Sequence, residues 1–365
     1  MEKSPKFKGI YFRRSLIWFL ILTLAVLPLG GCSGKEEGVS PEESQEKKGV
    51  QIGLCFDSFV IERWQRDRDI FVSMAKELGA EVNIQNANGD INEQIDQIEY
   101  LIDKGMDVIV IICIDPEAVK DSVKKAQEEG IKVISYDRLI NGANVDLYIS
   151  FDNEKVGRLM GKSLVDNGVI GDDVIMICGS PKDNNVHMVE RGFESVMKAN
   201  GNRVIDKVYA DGWRAEVASE YVYKKIDIVR RAEAIMCGND DLASRTVYAL
   251  SEKRLAGEKL VVGQDADLEA CQRIVEGTQL MTVYKPIEKL AQTAAVCAVK
   301  LAKNEPMTDG DFKLTTFDDG ESEVPYVSIE PIAVTDKNMD EVIIKNGFHL
   351  KEDVYLNVPG RMNQK

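Results

Sequence analysis

Residues 50–78 read Val50-Gln51-Ile52-Gly53-Leu54-Cys55-Phe56-Asp57-Ser58-Phe59-Val60-Ile61-Glu62-Arg63-Trp64-Gln65-Arg66-Asp67-Arg68-Asp69-Ile70-Phe71-Val72-Ser73-Met74-Ala75-Lys76-Glu77-Leu78. The run 50–56 is almost continuously apolar, as a strand buried on both faces is. From 70 to 78 the apolar residues recur at helical spacing, and Gly79 stands where a helix would end. Between them, at 61–69, an Arg, a Trp and alternating charges sit where a strand hands over to a helix. In open α/β sheets the carboxyl end of a strand is where ligands bind. Arg offers a planar fork of donors, and Trp a flat apolar face with a polar edge. The pair suits a polyol, whose hydroxyls lie around its rim and whose C–H groups lie on its faces. Taken alone, a charged helix start with Trp64 in ordinary packing is the simpler reading.

The same alternation continues downstream. Strands are expected at 51–56, 81–86, 108–112 and 132–136, with helices at 64–78, 91–104 and 116–129 that end on Gly79, Gly105 and Gly130. A short strand at 148–151 closes this unit. The pattern then restarts, with strands at 174–178, 203–209, 234–237, 260–263 and 281–284 between helices. A long helix follows Pro286, then a polar, acidic segment at 309–323, then a last extended stretch at 324–333. Buried strands separated by helices mean parallel sheets covered on both faces. Two such halves fit a chain of 365 residues.

The first fifty residues stand apart. Lys3, Lys6, Lys8, Arg13 and Arg14 precede an apolar run from 16 to 29, and Leu29-Gly30-Gly31-Cys32 closes it. This is the pattern of a secretion signal, 1–31. Ending on small residues and then Cys, it resembles the bacterial lipoprotein signal, which implies lipid attachment at Cys32 and a membrane anchor; a free Cys after a signal anchor is the alternative. Residues 32–49 read as a flexible tether. The six other cysteines show no CxxC spacing, so they are expected to be small buried apolar residues, with disulfides left open. The formal net charge is −15, and no stripe of Lys and Arg exists, which argues against nucleic acid.

The residues after each strand repeat one chemistry. They are Arg63 and Trp64; Asp137 and Arg138; Asp183, Asn184 and Asn185; Trp213; Asn239, Asp240 and Asp241; Gln264, Asp265 and Asp267; and Lys285. Each cluster has an ordinary reading: a local ion pair for Asp137-Arg138, helix caps and turns for the Asn/Asp runs, a solvated hinge charge for Lys285. Seven clusters on one face of the sheets favour a binding site. Sugar hydroxyls both donate and accept, so a buried sugar calls for carboxylate, guanidinium and amide groups, and two Trp residues, one per half, can sandwich its ring. Neither GxGxxG nor GxxxxGK[ST] occurs. No GxSxG elbow occurs either, and no Cys sits beside a plausible base. Carboxylates among Arg and Lys are poor general acids. No enzymatic role, cofactor or metal is expected.

Several strings carry a resemblance. They are residues 62–69, Ala87-Asn88-Gly89, Tyr136-Asp137-Arg138, residues 148–157, Gly179-Ser180-Pro181 with Asp183-Asn184-Asn185, Asp211-Gly212-Trp213, Gly263-Gln264-Asp265-Ala266-Asp267 and residues 281–286. In unbroken order from about 51 to 348, they closely resemble the sugar-binding type I periplasmic binding proteins of bacterial ABC transporters, and among these the D-xylose-binding members. The resemblance implies an α/β fold of two Rossmann-like lobes with parallel sheets, joined by a three-segment hinge. The lobes would be 50–151 plus 285–325 and 152–284 plus 326–365. It implies sugar contacts at Arg63, Trp64, Asp137, Arg138, Asp183, Asn185, Trp213, Asn239, Asp265 and Lys285. D-xylose is the favoured monosaccharide, and an ABC transporter permease the favoured partner. A membrane histidine kinase that senses the sugar-bound form is the alternative partner. A repressor on this fold would need a helix-turn-helix where the secretion signal stands.

Overall fold

A computed structural model of the protein describes residues 49–60, 63–307 and 312–362. The expected signal, the tether to residue 48 and Cys32 lie outside them.

The first half alternates β1 (Gln51–Phe56), α1 (Arg63–Glu77), β2 (Glu81–Asn86), α2 (Ile91–Asp103), β3 (Val108–Ile111), α3 (Lys120–Glu128), β4 (Lys132–Tyr136) and β5 (Leu147–Phe151). The second half runs α4 (Asn153–Asp166), β6 (Asp173–Cys178), α5 (Asn184–Ala199), β7 (Arg203–Tyr209), α6 (Glu216–Lys224), α7 (Ile226–Arg231) and β8 (Ala234–Cys237). It continues with α8 (Asp240–Glu252), β9 (Leu260–Gln264), α9 (Leu268–Glu276) and β10 (Met281–Tyr284). After α10 (Ile287–Ala302) come β11 (Leu314–Asp318), β12 (Glu323–Ile329), β13 (Ile332–Thr335) and α11 (Lys351–Val354).

These strands form two sheets, ordered β11-β12-β5-β4-β3-β1-β2 and β13-β10-β9-β8-β6-β7. All pairings are parallel except β11 with β12 and β10 with β13. The central strands β3 and β8 are buried along their whole length, whereas the edge strand β2 is half exposed. That difference is why β3 reads as a continuous apolar run and β2 alternates. The helices cover both faces of each sheet, giving two apolar layers per half. In the second half, α4 and α5 touch backbone to backbone. A Cβ on Gly157 would come within 1.9 Å of the Val189 carbonyl oxygen, and one on Gly192 within 2.0 Å of that of Glu154.

The chain passes between the sheets three times: at Asp152, at Lys285–Pro286 and at Glu330–Pro331. The third crossing corrects a boundary. The expected division between 325 and 326 falls inside β12, which pairs as one strand with β5 from Tyr326↔Tyr148 to Ile329↔Phe151. The extended stretch 324–333 is therefore two strands in two sheets. Proline at 331 has no N–H to continue a ladder, so the change of sheet occurs there. The polar, acidic segment, for which no element was assigned from sequence, supplies β11. Between β7 and β8 the chain forms two helices, α6 and α7, parted at Lys225.

Candidate functional site: a polar cavity between the two sheets

The carboxyl ends of both sheets face one cavity between them. Arg63, Trp64, Asp137, Arg138, Asp183, Asn185, Trp213, Asn239, Asp265 and Lys285 all line it. The fold thus gathers the ten expected contact residues, whereas Asn184, Asp240, Asp241 and Asp267 from the same strand-end clusters do not line the cavity. Gln264, Gly179, Gly238 and Glu190 line it too, as do the apolar Cys178, Val186, Val189 and Met236.

Arg63 opens α1. Its Nη2 donates to Asp137 Oδ2 at 2.7 Å, and Asp67, one turn on, lies 3.4 Å away. Its guanidinium stacks 4.3 Å from the centroid of the Trp64 ring. Burial disfavours the charge, but Asp137, Asp67 and Asp265 outweigh it and hold Arg63 more firmly protonated than usual. Arg138 follows β4. Its Nη1 donates to Asp57 Oδ2 at 2.6 Å and its Nε lies 2.9 Å from Asp183 Oδ2. The same opposition of burial against Asp57 and Asp183 raises its pKa. Burial pushes Asp137 up, yet Arg63, Lys285 and Arg138 bring it below the usual carboxylate value. For Asp183 burial wins over Arg138, and the pKa rises. Lys285 Nζ sits 2.8 Å from Asp265 Oδ1.

Two readings that competed in the sequence hold together. Asp183 caps α5, accepting from the Asn185 N–H at 2.9 Å, while its other oxygen faces Arg138. Asn239 caps α8 through the Leu242 N–H at 3.0 Å and still lines the cavity. The helix caps are thus also cavity wall.

Contacts run across the cleft. Asn185 Nδ2, on α5, donates to Asp137 Oδ1 at 2.9 Å and to the Asp137 carbonyl at 3.0 Å. Its Oδ1 accepts from Tyr148 and Asn153. At the rim Lys182 pairs with Asp115 at 2.8 Å. The two lobes are closed upon each other.

Three of the cavity residues, Asp137, Trp213 and Asp265, have positive φ (63°, 58° and 100°). Such backbone is strained for residues other than glycine and concentrates at ligand sites. Trp213 also lies against Gly179, where a Cβ would come within 2.2 Å of its ring.

Among the described residues, four buried side-chain polar atoms have no hydrogen-bond partner: Trp64 Nε1, Trp213 Nε1, Gln264 Oε1 and Asp265 Oδ1. All four belong to cavity residues. For Asp265 Oδ1 the contact with Lys285 satisfies the distance of an ion pair but not the angle of a hydrogen bond. Buried polar groups are almost always paired, so two donors and two acceptors left at one cavity mark the place of a polar ligand. Three cations (Arg63, Arg138, Lys285) stand with five carboxylates (Asp57, Asp67, Asp137, Asp183, Asp265). With no surplus of positive charge, an uncharged ligand fits better than an anion. No cluster suited to a metal ion exists among the described residues.

Residues 52–306 match the family model of the periplasmic binding protein domain. The chain belongs to the periplasmic binding protein family. It is 44% identical to the D-xylose-binding periplasmic protein of Haemophilus influenzae, covering 86% of this chain and 94% of the relative. It is 43% identical to the protein of that name in Escherichia coli, covering 84% and 93%. A solved structure of an ABC transporter solute-binding protein from Clostridium phytofermentans with bound β-D-glucose superposes with a TM-score of 0.74. It is 26% identical, covering 83% of this chain and 99% of that one. With membership comes an extracytoplasmic solute-binding role in place of an enzymatic one. The two closed lobes are the type I fold of this family.

Some site features escaped the sequence reading. Asp57 directly follows β1 and meets the same strand-end rule. Asp67 stands one helical turn from Arg63, a spacing that signals an ion pair. Only Glu190, inside α5, had no local signal.

Proposed function

We propose that this protein captures D-xylose, or a closely similar monosaccharide, between its closing lobes and delivers it to an ABC transporter. The observation that carries the proposal is the set of four unpartnered buried polar atoms around one cavity. A sugar ring supplies hydroxyls to such donors and acceptors, and its C–H faces suit Trp64 and Trp213. Arg63, Asp137, Arg138, Asp183, Asn185, Asn239, Asp265 and Lys285 are the proposed polar contacts. Two relatives above 40% identity named for D-xylose favour that sugar over other pentoses and hexoses. We propose further that residues 1–31 are removed on export, with 32–49 a tether and Cys32 its lipid attachment. The membrane partner is then a permease in preference to a sensor kinase.

The test is a thermal-shift panel of pentoses and hexoses on the soluble portion, followed by calorimetry. D-xylose should raise the melting temperature most, since a ligand bound only to the native state stabilises by about 2.7 kcal/mol at a hundredfold its Kd. Asp265→Ala should weaken binding at least about 100-fold, because Lys285 would be left buried and unpaired. A panel in which no sugar moves the melting temperature would end the reading.

A further inference from the structure

The segment Gln264-Asp265-Ala266-Asp267 carries two consecutive non-glycine residues at positive φ, Asp265 at 100° and Ala266 at 57°. Left to itself such a turn relaxes, and the Asp265 carboxylate would move with it. Two buried side chains that do not line the cavity hold it from opposite sides.

Asp240, at the first position of α8, has no solvent exposure. Its Oδ2 accepts from Thr282 Oγ1 at 2.6 Å and from the Asp267 N–H at 3.2 Å, and its Oδ1 accepts from Gln279 Nε2 at 2.9 Å. Thr282 Oγ1 in turn accepts from the Ala266 N–H at 3.1 Å. The carboxylate thereby fixes the junction of the strained pair and the residue that follows it. It also lies where a Cβ on Gly263 would come within 2.2 Å, so the loop's incoming strand is fitted around it. From the other side His349, in the chain leading to α11, meets the Ala266 carbonyl through Nε2 at 2.8 Å. Its neighbour Phe348 accepts through its carbonyl from Arg66 Nη1 at 2.9 Å and packs on Tyr284, at the second crossing. The C-terminal segment therefore links the loop to α1 and to the hinge.

We infer that Asp240 and His349 are positioning residues: they hold the Gln264–Asp267 turn in its strained form and so aim Asp265 into the ligand cavity. The inference rests on the sugar-binding reading. It adds that affinity depends on two residues that never touch the sugar. Burial raises the pKa of Asp240 well above the usual carboxylate value, outweighing its hydrogen bonds from Thr282 and Gln279 and its attraction to Arg273. The other ionisable groups facing it are Asp265 and Asp267 on the loop, Cys237 on β8 and Cys271 on α9. Protonation removes an acceptor where the loop N–H and Gln279 supply donors, so affinity should rise with pH and then level once Asp240 is ionised.

The experiment measures the D-xylose Kd by calorimetry from pH 6.5 to 8.5 for wild type, Asp240→Asn, Thr282→Val, His349→Ala and His349→Gln. Amide exchange at Asp265 is followed in the sugar-free proteins. Asp240→Asn, Thr282→Val and His349→Ala should each weaken binding about ten-fold or more, and His349→Gln, which keeps a donor, should recover most of the loss. Exchange at Asp265 should quicken about ten-fold in the same three variants, and the pH slope of wild type should be flat in Asp240→Asn. Thr282→Val, an isosteric change, keeps the test decisive if Asp240→Asn does not fold. Unaltered exchange together with unaltered affinity overturns the inference. Quickened exchange in a protein whose wild type binds no sugar upholds the positioning role and counts against the sugar reading alone.

Discussion

Asp67 shows why single residues in this site are constrained. It is almost wholly buried and held by Arg63 and the Tyr136 hydroxyl, yet burial outweighs both and raises its pKa from 3.8 to about 6. An acid whose pKa is higher in the folded than in the unfolded state favours folding below the unfolded value. That contribution is lost as pH rises through the folded one. Relative to wild type, Asp67→Asn should therefore gain stability steadily from pH 4 to pH 6.5, by roughly 2–3 kcal/mol across the window. Sugar-free calorimetric melting of both proteins reads this directly, and parallel curves would refute it. At this scale the sequence was most legible where a residue directly follows a strand: the ten cavity residues named from it stand in that position or within the next turn. Asp240 and His349 were not legible in their roles. Their partners lie 42 and 83 residues away, and neither distance leaves a local pattern.

Among elements, the α4–α5 contact is the one on which the second lobe's share of the site depends. Asp183 and Asn185 stand at the start of α5, and the helix is seated against α4 through Gly157 and Gly192 without intervening side chains. Gly192→Ala puts a methyl group 2.0 Å from the Glu154 carbonyl oxygen, so the helices must separate. We expect a loss of about 1–3 kcal/mol, as for overpacked cores, with weaker sugar affinity because α5 carries its cap residue with it. Denaturant unfolding and calorimetry on one sample check both, and unchanged stability would show that the helices part freely. Strands and helices were readable because burial on both faces leaves continuous apolar runs. The third crossing was not, since 324–333 is one extended apolar-rich run and hydropathy does not register a change of sheet. The break at Pro331 becomes visible only when β12 and β13 are seen to pair with different neighbours.

For the whole molecule, the question is what holds the lobes together once a ligand has arrived. Three chain crossings join them, and polar contacts bridge the cleft, among them Arg138 with Asp183 at 2.9 Å, Asn185 with Asp137 at 2.9 Å, and Lys182 with Asp115 at 2.8 Å. The last is exposed at the rim and contributes little. The first is buried on both sides, so it exists in full only when the cleft is shut. A ligand shifts the lobes by its differential affinity for the closed form, and Arg138–Asp183 adds to that difference. Asp183→Ala leaves Arg138 with Asp57 and the Cys113 carbonyl and removes the cap of α5. Truncating one partner of a buried pair costs about 3–5 kcal/mol, close to the roughly 5.5 kcal/mol that carries a two-state equilibrium from 1:99 to 99:1. The variant should therefore stay open under D-xylose concentrations that close wild type. Small-angle scattering, with and without sugar, reads this as a fall in the radius of gyration for wild type and none for Asp183→Ala. Equal compaction of the two would mean that closure is driven by the sugar and the other cleft contacts, with Arg138–Asp183 a consequence of it.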